Sequence, residues 1–186
     1  MKSESLNPKK VFDGILFDVY HWEQEMFDGN FKTFEKVVRA PSTDVIATIG
    51  DKIMILLQEQ PTKPLFPSLP GGRVENGDSA EDTAKREMLE ETGYGSNEWS
   101  VLIDFPGILH KFEFHETVFL AKNCKKVTEQ NCDSGEKIKV DFKKFDDFLE
   151  LCRNPKFTCP LGLKFMMYEA LLDKKKKIEL KKKMFE

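Results

Sequence analysis

Short runs of apolar and β-branched residues, broken by glycine, asparagine and proline, dominate the first third of the chain. Residues 11–20 (VFDGILFDVY) and 31–39 (FKTFEKVVR) read as strands joined across Asp28-Gly29-Asn30, whose glycine and asparagine suit a turn with positive φ. Two more strands follow at 44–49 and 52–59, linked tightly by Gly50-Asp51. The continuous run Ile53-Met54-Ile55-Leu56-Leu57 marks the second of them as buried on both faces. Pro61, Pro64, Pro67 and Pro70 then remove backbone donors and predict a loop with a short extended piece, leading into Gly71-Gly72.

Helical spacing first appears after Gly77. Asp78 or Ser79 can cap a helix, Glu81 or Asp82 support its first turn, and Ala80, Ala84 and Met88 supply a narrow apolar stripe at i, i+4 spacing. Gly93 is its expected stop, since glycine adopts φ > 0 without steric cost. Strands are expected near 98–104, 113–121 and 137–142, a helix over 143–152, and a last helix opening at Thr158-Cys159-Pro160 and running into a lysine-rich end. No internal repeat is apparent. The order of elements predicts an α/β fold with a mixed sheet between helices. It divides as an N-terminal β-hairpin extension (1–40), a main domain (41–172) and a lysine-rich tail (173–186).

Composition narrows the class. The 186 residues are 40% hydrophobic and 33% charged, enough for one sizeable core. Neither a signal peptide nor a membrane span is legible, which points to the cytoplasm. Cys124, Cys132, Cys152 and Cys159 lack paired CxxC spacing, which argues against zinc and against a disulfide framework. A net charge of −3 argues against nucleic acid as the main partner. Lys174 to Lys177 and Lys181 to Lys183 nevertheless form a basic block. It reads as a solvated helix end, or as a surface for RNA, anionic lipid or an acidic partner.

The chemistry concentrates in Arg86-Glu87-Met88-Leu89-Glu90-Glu91-Thr92-Gly93. On a helix Glu87 faces both Glu90 and Glu91, and Arg86 reaches Glu90. Like charges so spaced cost an isolated helix about 0.2–0.5 kcal/mol per pair, so a compensating cation is called for. Hard divalent ions take carboxylate, water and phosphate oxygens, which points to phosphate chemistry.

The pattern Gly72-x5-Asp78-x7-Arg86-Glu87-Met88-x-Glu90-Glu91-x-Gly93-Tyr94 resembles the Nudix box, the signature of hydrolases acting on nucleoside diphosphates linked to another group. It departs once, with Asp78 where glutamate is customary. The resemblance implies an α/β/α sandwich and Mg²⁺, or Mn²⁺ in its place. It also implies metal ligation by Glu87, Glu91 and Glu90, with Arg86 orienting Glu90 and the Gly71 carbonyl completing the site. His21, His110 and His115 have no triad partner at local spacing. A base is still needed, and the box leaves that role open between its own glutamates and one from a later loop. Glu136, in Asp133-Ser134-Gly135-Glu136 before an alternating strand, resembles the loop glutamate of ADP-ribose pyrophosphatases, with Glu129 and Glu116 as weaker contenders.

The likeness to that group extends further. Phe31-x-x-Phe34-Glu35-x-Val37-x-Arg39 is similar to its N-terminal strand, which implies adenine stacking by Phe34 and a substrate contact by Arg39. Pro106-Gly107-Ile108 looks like its Pro-Gly step, so both residues join the substrate-binding set. Three places depart: Gln60 stands where the group often places a phosphate-binding arginine, with Lys63 as a substitute point charge, Ser68 stands where a glutamate is common, and His110-Lys111 replaces the usual acidic step beyond Pro-Gly. The expected activity is Mg²⁺-dependent hydrolysis of ADP-ribose or a similar nucleotide sugar by water attack on phosphorus. The other readings are hydrolysis of nucleoside triphosphates or dinucleoside polyphosphates, and a nucleotide or RNA sensor without turnover. In the group it resembles, the counterpart of the N-terminal hairpin often packs or swaps across a homodimer, so the resemblance implies a dimer.

Overall fold

The computed structural model describes residues 7–186. The chain forms two compact units, one made of residues up to Pro41 together with Pro106–His115, the other of Ser42–Phe105 and Glu116–Glu186.

The first unit is a β-meander: β1 (Lys9–Phe12), β2 (Phe17–Glu25) and β3 (Phe31–Arg39). The turn at Asp28-Gly29-Asn30 is where the sequence placed it, with Gly29 at φ 82° and Glu25 opposite Phe31. The first strand is not a single piece over 11–20. Residues 13–16 turn back, so that Lys9 of β1 pairs with His21 of β2. At Gly14 any Cβ would meet the Phe17 carbonyl, which is why the apolar run breaks there.

The second unit contains β4 (Ser42–Ile49), β5 (Lys52–Gln60), β6 (Lys63–Ser68), β7 (Gly71–Arg73), α1 (Ala80–Thr92), β8 (Tyr94–Gly95) and most of β9 (Glu98–Leu109). It continues through the later part of β10 (Phe112–Lys122), β11 (Lys125–Lys126), β12 (Lys137–Lys144), α2 (Phe145–Glu150), a 3₁₀ turn (Leu151–Arg153), α3 (Leu161–Leu172) and α4 (Lys174–Phe185). β10 begins in the first unit, where Phe112 pairs with Val37 of β3. Its later residues run parallel to β4, from Glu116 opposite Ser42 to Ala121 opposite Ala47. β5 is antiparallel to β4, β6 and β12, so the sheet is mixed, as expected.

Side-chain alternation builds two cores from the same strands, because successive strand residues point to opposite faces. Val45, Ala47, Met54, Phe119 and Ala121 face α1 and bury its Ala84 and Met88. Ile46, Ile53, Ile55, Val118 and Leu120 face the other way and meet Phe148 and Leu149 of α2, Leu163 and Met167 of α3, and Leu180 and Met184 of α4. This is the α/β/α sandwich. Each fully buried aliphatic side chain contributes about 1.5–3 kcal/mol.

Three expectations are corrected. The short extended piece expected in the proline-rich stretch is a full strand, β6, which pairs with β5 along most of its length. The helix expected over 143–152 starts later, at Phe145, because β12 runs on to Lys144, and it tightens into the 3₁₀ turn at Leu151. The last helix stops at Leu172: Asp173 is extended and its carboxylate accepts the N–H groups of Lys175 (2.7 Å) and Lys176 (3.2 Å), starting a separate helix. The lysine block therefore sits on α4, whose inner face is part of the core. Met184→Ala should lower the unfolding free energy by about 2–5 kcal/mol in chemical denaturation, a loss that a solvated tail would not give.

Candidate active site

The acids are positioned by α1 and by the strand it leans on. Ser79 caps α1, its hydroxyl accepting the Asp82 N–H at 3.0 Å, and Gly93 ends it with φ 73° and its N–H on the Leu89 carbonyl. Those two caps, both anticipated, fix where the helix begins and ends. Ala84 and Met88 enter the core, Glu87 and Glu91 face β7, and Glu90 lies further out.

Gly71 and Gly72 are required by crowding. Gly71 sits at φ 152°, where a Cβ would collide with the Thr43 carbonyl of β4. At Gly72 a Cβ would lie 2.6 Å from the Glu87 carboxyl carbon, so the missing side chain is the space that Glu87 fills. The Gly71 N–H donates to Glu91 Oε2 at 2.8 Å. Arg86 bridges the outer acids, donating to Glu87 Oε1 at 2.9 Å and Glu90 Oε2 at 3.1 Å.

A loop brings the fifth expected catalytic group. Helix ends leave orphan carbonyls, and here residues 127–131 satisfy them. The Val127 and Thr128 N–H groups bond the Gly93 carbonyl, the Asn131 N–H bonds Glu90 O at 2.8 Å, and Gln130 Nε2 donates to Glu91 O at 2.6 Å. Glu136 closes the loop, its N–H on the Asp133 carbonyl and its carboxylate bonded by Gln58 (3.4 Å) and Gln60.

Electrostatics single out Glu91, whose side chain is 4% exposed. Burial pushes its carboxyl up to about 9. The Gly71 N–H pulls the other way, and the charged neighbours, Glu136, Glu87 and Asp44, are all acids that push it higher. Glu87 is also raised, chiefly by burial, against the pull of Arg86 and with Glu90 and Glu136 adding to the rise. Glu136 is raised by burial, offset by its bond from Gln60 and reinforced by Asp133. For Arg86 burial lowers its affinity for the proton, but Glu87 and Glu90 outweigh that and hold it firmly protonated.

Such a donor set is all oxygen and acid-rich, which fits a hard divalent cation. Among the described residues no three His, Cys, Asp or Glu side chains already converge to ligate one ion. Arg86 holds two of the acids and Gly71 a third.

The remaining sequence-derived candidates have other surroundings. Lys63 Nζ bonds Thr158 Oγ1 at 2.8 Å and lies 3.4 Å from the Phe66 ring centroid. Phe34, Arg39, Pro106 and Gly107 belong to the first unit. There Phe34 packs on Trp22 with ring centroids 5.8 Å apart, Lys111 Nζ lies 4.3 Å from its ring, and the Phe114 ring covers Gly107. Gln58, Gln130 and Asp44 were missed. Gln58 bonds the Glu136 carboxylate, Asp44 repels that of Glu91, and Gln130 bonds the Glu91 backbone carbonyl, and only the alternation Gln58-x-Gln60 hinted at any of them.

A model of the NUDIX domain matches residues 38–158. The chain belongs to the Nudix family. It is a pyrophosphohydrolase of that family, whose members generally use divalent cations. It is 27% identical to an ADP-ribose pyrophosphatase of Bacillus subtilis (strain 168) over 158 residues, 81% of this chain and 83% of the relative. A methanol dehydrogenase activator of Bacillus methanolicus is 30% identical over 107 residues, 56% of this chain and 57% of that one. A putative 8-oxo-dGTP diphosphatase of Bacillus subtilis (strain 168) is 47% identical over 51 residues, 27% of this chain and 34% of that one. The crystal structure of an ADP compounds hydrolase superposes with a TM-score of 0.70 at 20% identity over 89% of this chain and 92% of that one, a likeness of fold.

Glu91 ties stability to pH. The folded chain keeps its proton up to about 9, whereas the unfolded chain releases it near the ordinary 4.5. Between these values the folded state binds more protons, so this contribution is full below pH 4.5 and is lost as pH rises toward 9. The melting temperature of the metal-free Nudix protein should therefore fall from pH 5 to pH 9, and Glu91→Gln should flatten the decline. A decline of equal slope in the variant would assign it to other groups.

Proposed function

We propose that this Nudix hydrolase splits the diphosphate of ADP-ribose or a similar nucleotide sugar, with Mg²⁺ as its ion and Mn²⁺ as a substitute. The observation that carries the substrate choice is the extent of likeness. The ADP-ribose pyrophosphatase corresponds over 83% of its length, the putative 8-oxo-dGTP diphosphatase over 34%. Glu87, Glu90, Glu91 and the Gly71 carbonyl would hold the ion. When bound, a divalent cation polarises the diphosphate and lowers the pKa of an attacking water.

The chain's own groups do the rest. Arg86 keeps Glu87 and Glu90 in place. Glu136, raised by burial and held by two amides, accepts the proton of the attacking water. The likeness to ADP-ribose pyrophosphatases supports base stacking by Phe34 and substrate contacts by Arg39, Gln60, Lys63, Pro106 and Gly107. The four cysteines are free thiols, which supports a cytoplasmic setting. No helix among the described residues is long and apolar enough to cross a membrane.

We infer a homodimer through the first unit, and its exposed apolar residues support that reading. Phe12, Ile15, Phe27, Phe31 and Ile108 are exposed there, with Ile15 at 88% and Phe27 fully so. Such apolar surface commonly marks an interface. Light scattering after gel filtration should give twice the chain mass, and Ile15→Asp with Phe27→Asp should give the monomer.

A screen of nucleotide sugars, dinucleotides and nucleoside triphosphates with Mg²⁺ should rank ADP-ribose first, with AMP and ribose 5-phosphate as products. Preference for triphosphates would overturn the substrate and leave the family intact. Glu136→Gln should lower kcat by roughly 10²–10⁴-fold with little change in metal affinity. Phe34→Ala should raise KM several-fold with a smaller effect on kcat. A loss of metal affinity in Glu136→Gln would move that residue among the ligands.

A further inference from the structure

Glu136 reaches the other acids from a loop, yet its carboxylate is held by side chains of a central strand. Gln58 and Gln60 lie two apart on β5, and both amides bond the Glu136 carboxylate. In the register Ile138 stands opposite Gln58 and Lys137 opposite Glu59, which places Glu136 beside Gln60. Gln58 is 7% exposed, and its amide spans two partners: Nε2 donates to Glu136 Oε1 at 3.4 Å and Oε1 accepts from Ser68 Oγ at 3.3 Å. Ser68, on β6, is itself buried. The β5–β6 pairing shifts its register between Gln58 and Gln60, the kind of irregularity that re-aims side chains next to sites.

The polarity of this chain of bonds is fixed. An ionised carboxylate only accepts, so the NH₂ half of Gln58 must face Glu136 and the carbonyl half must face Ser68, whose hydroxyl then has to donate. A hydroxyl at position 68 thus locks the amide in the one flip that serves Glu136. A neutral donor also suits a base. It holds the carboxylate in direction without the full charge of a lysine or arginine, which would weaken its hold on a proton.

We propose that Gln58, keyed by Ser68, is a positioning residue that sets the direction of the Glu136 carboxylate for proton transfer, with Gln60 as the second donor. This rests on Glu136 being the acceptor of the water proton. Sequence places Gln60 and Ser68 where related enzymes often carry arginine and glutamate. Here the same two positions serve a neutral amide and hydroxyl network directed at the loop.

The test is a double-mutant cycle on the full chain, with kcat and KM measured on ADP-ribose, or on the diphosphate that replaces it in the screen. Gln58→Leu should lower kcat about tenfold and leave KM within about twofold. In the Glu136→Gln background it should lower kcat no further, because the residue it positions no longer takes the proton. Ser68→Ala, which deletes one oxygen and keeps the packing, should show the same dependence at smaller size and serves if Gln58→Leu does not fold. Equal losses in both backgrounds, or a rise in KM with unchanged kcat, would overturn the positioning role. Wild-type kcat in Glu136→Gln alone would instead overturn the reading of Glu136 as base, and the positioning role with it.

Discussion

The hydrogen bond from the Gly71 N–H to the buried Glu91 carboxylate joins the two elements on which the site depends. It needs a backbone at Gly71 that lies closer to Thr43 than any side chain allows, and a helix rotated so that a carboxyl enters the protein instead of the solvent. The rotation comes from Ala84 and Met88, which occupy the apolar stripe and leave Glu87 and Glu91 toward β7. Burying a carboxyl with a single N–H partner and acids around it is unfavourable for its charged form. The fold tolerates it by keeping Glu91 protonated up to about 9. A divalent cation held by these acids would displace that proton.

The end of α1 governs the other half of the site. Its last carbonyls are satisfied by the polar loop 127–131, so the same bonds that finish the helix fasten the segment leading to Glu136. The Glu136 carboxylate is steadied separately, by the amides of β5. Helix, loop and central strand thus meet around four acids, and Arg86 is the cation that holds two of them.

Much of this was legible in the chain because it depends on local rules. The helix stripe, the Ser79 cap, the Gly93 stop and the acidic face all follow from spacing along one element, and the Nudix box marks them together. The strand from Ile53 to Leu57 was legible for the same reason. What sequence concealed depends on tertiary partners. Pro64 and Pro67 looked like breakers that confine any extended piece, yet both lie within a strand that pairs with β5. Asp173 looked like the interior of a long helix, although its carboxylate is a cap that starts a new one. Gln58 and Gln130 carry no motif, and their roles exist only because β12 and the loop return to α1 from far along the chain.

The central claim is that the buried acids beside Gly71 and Gly72 hold a divalent cation, and that Glu91 gives up its proton to do so. Metal binding to a protonated ligand must release that proton. Calorimetric titration of Mg²⁺ into the wild-type chain at pH 7.5, repeated in buffers of different ionisation enthalpy, measures the release directly. About one proton should be released per ion bound by the wild type, and none by Glu91→Gln. Binding without proton release in the wild type, or the same release in the variant, would contradict the claim.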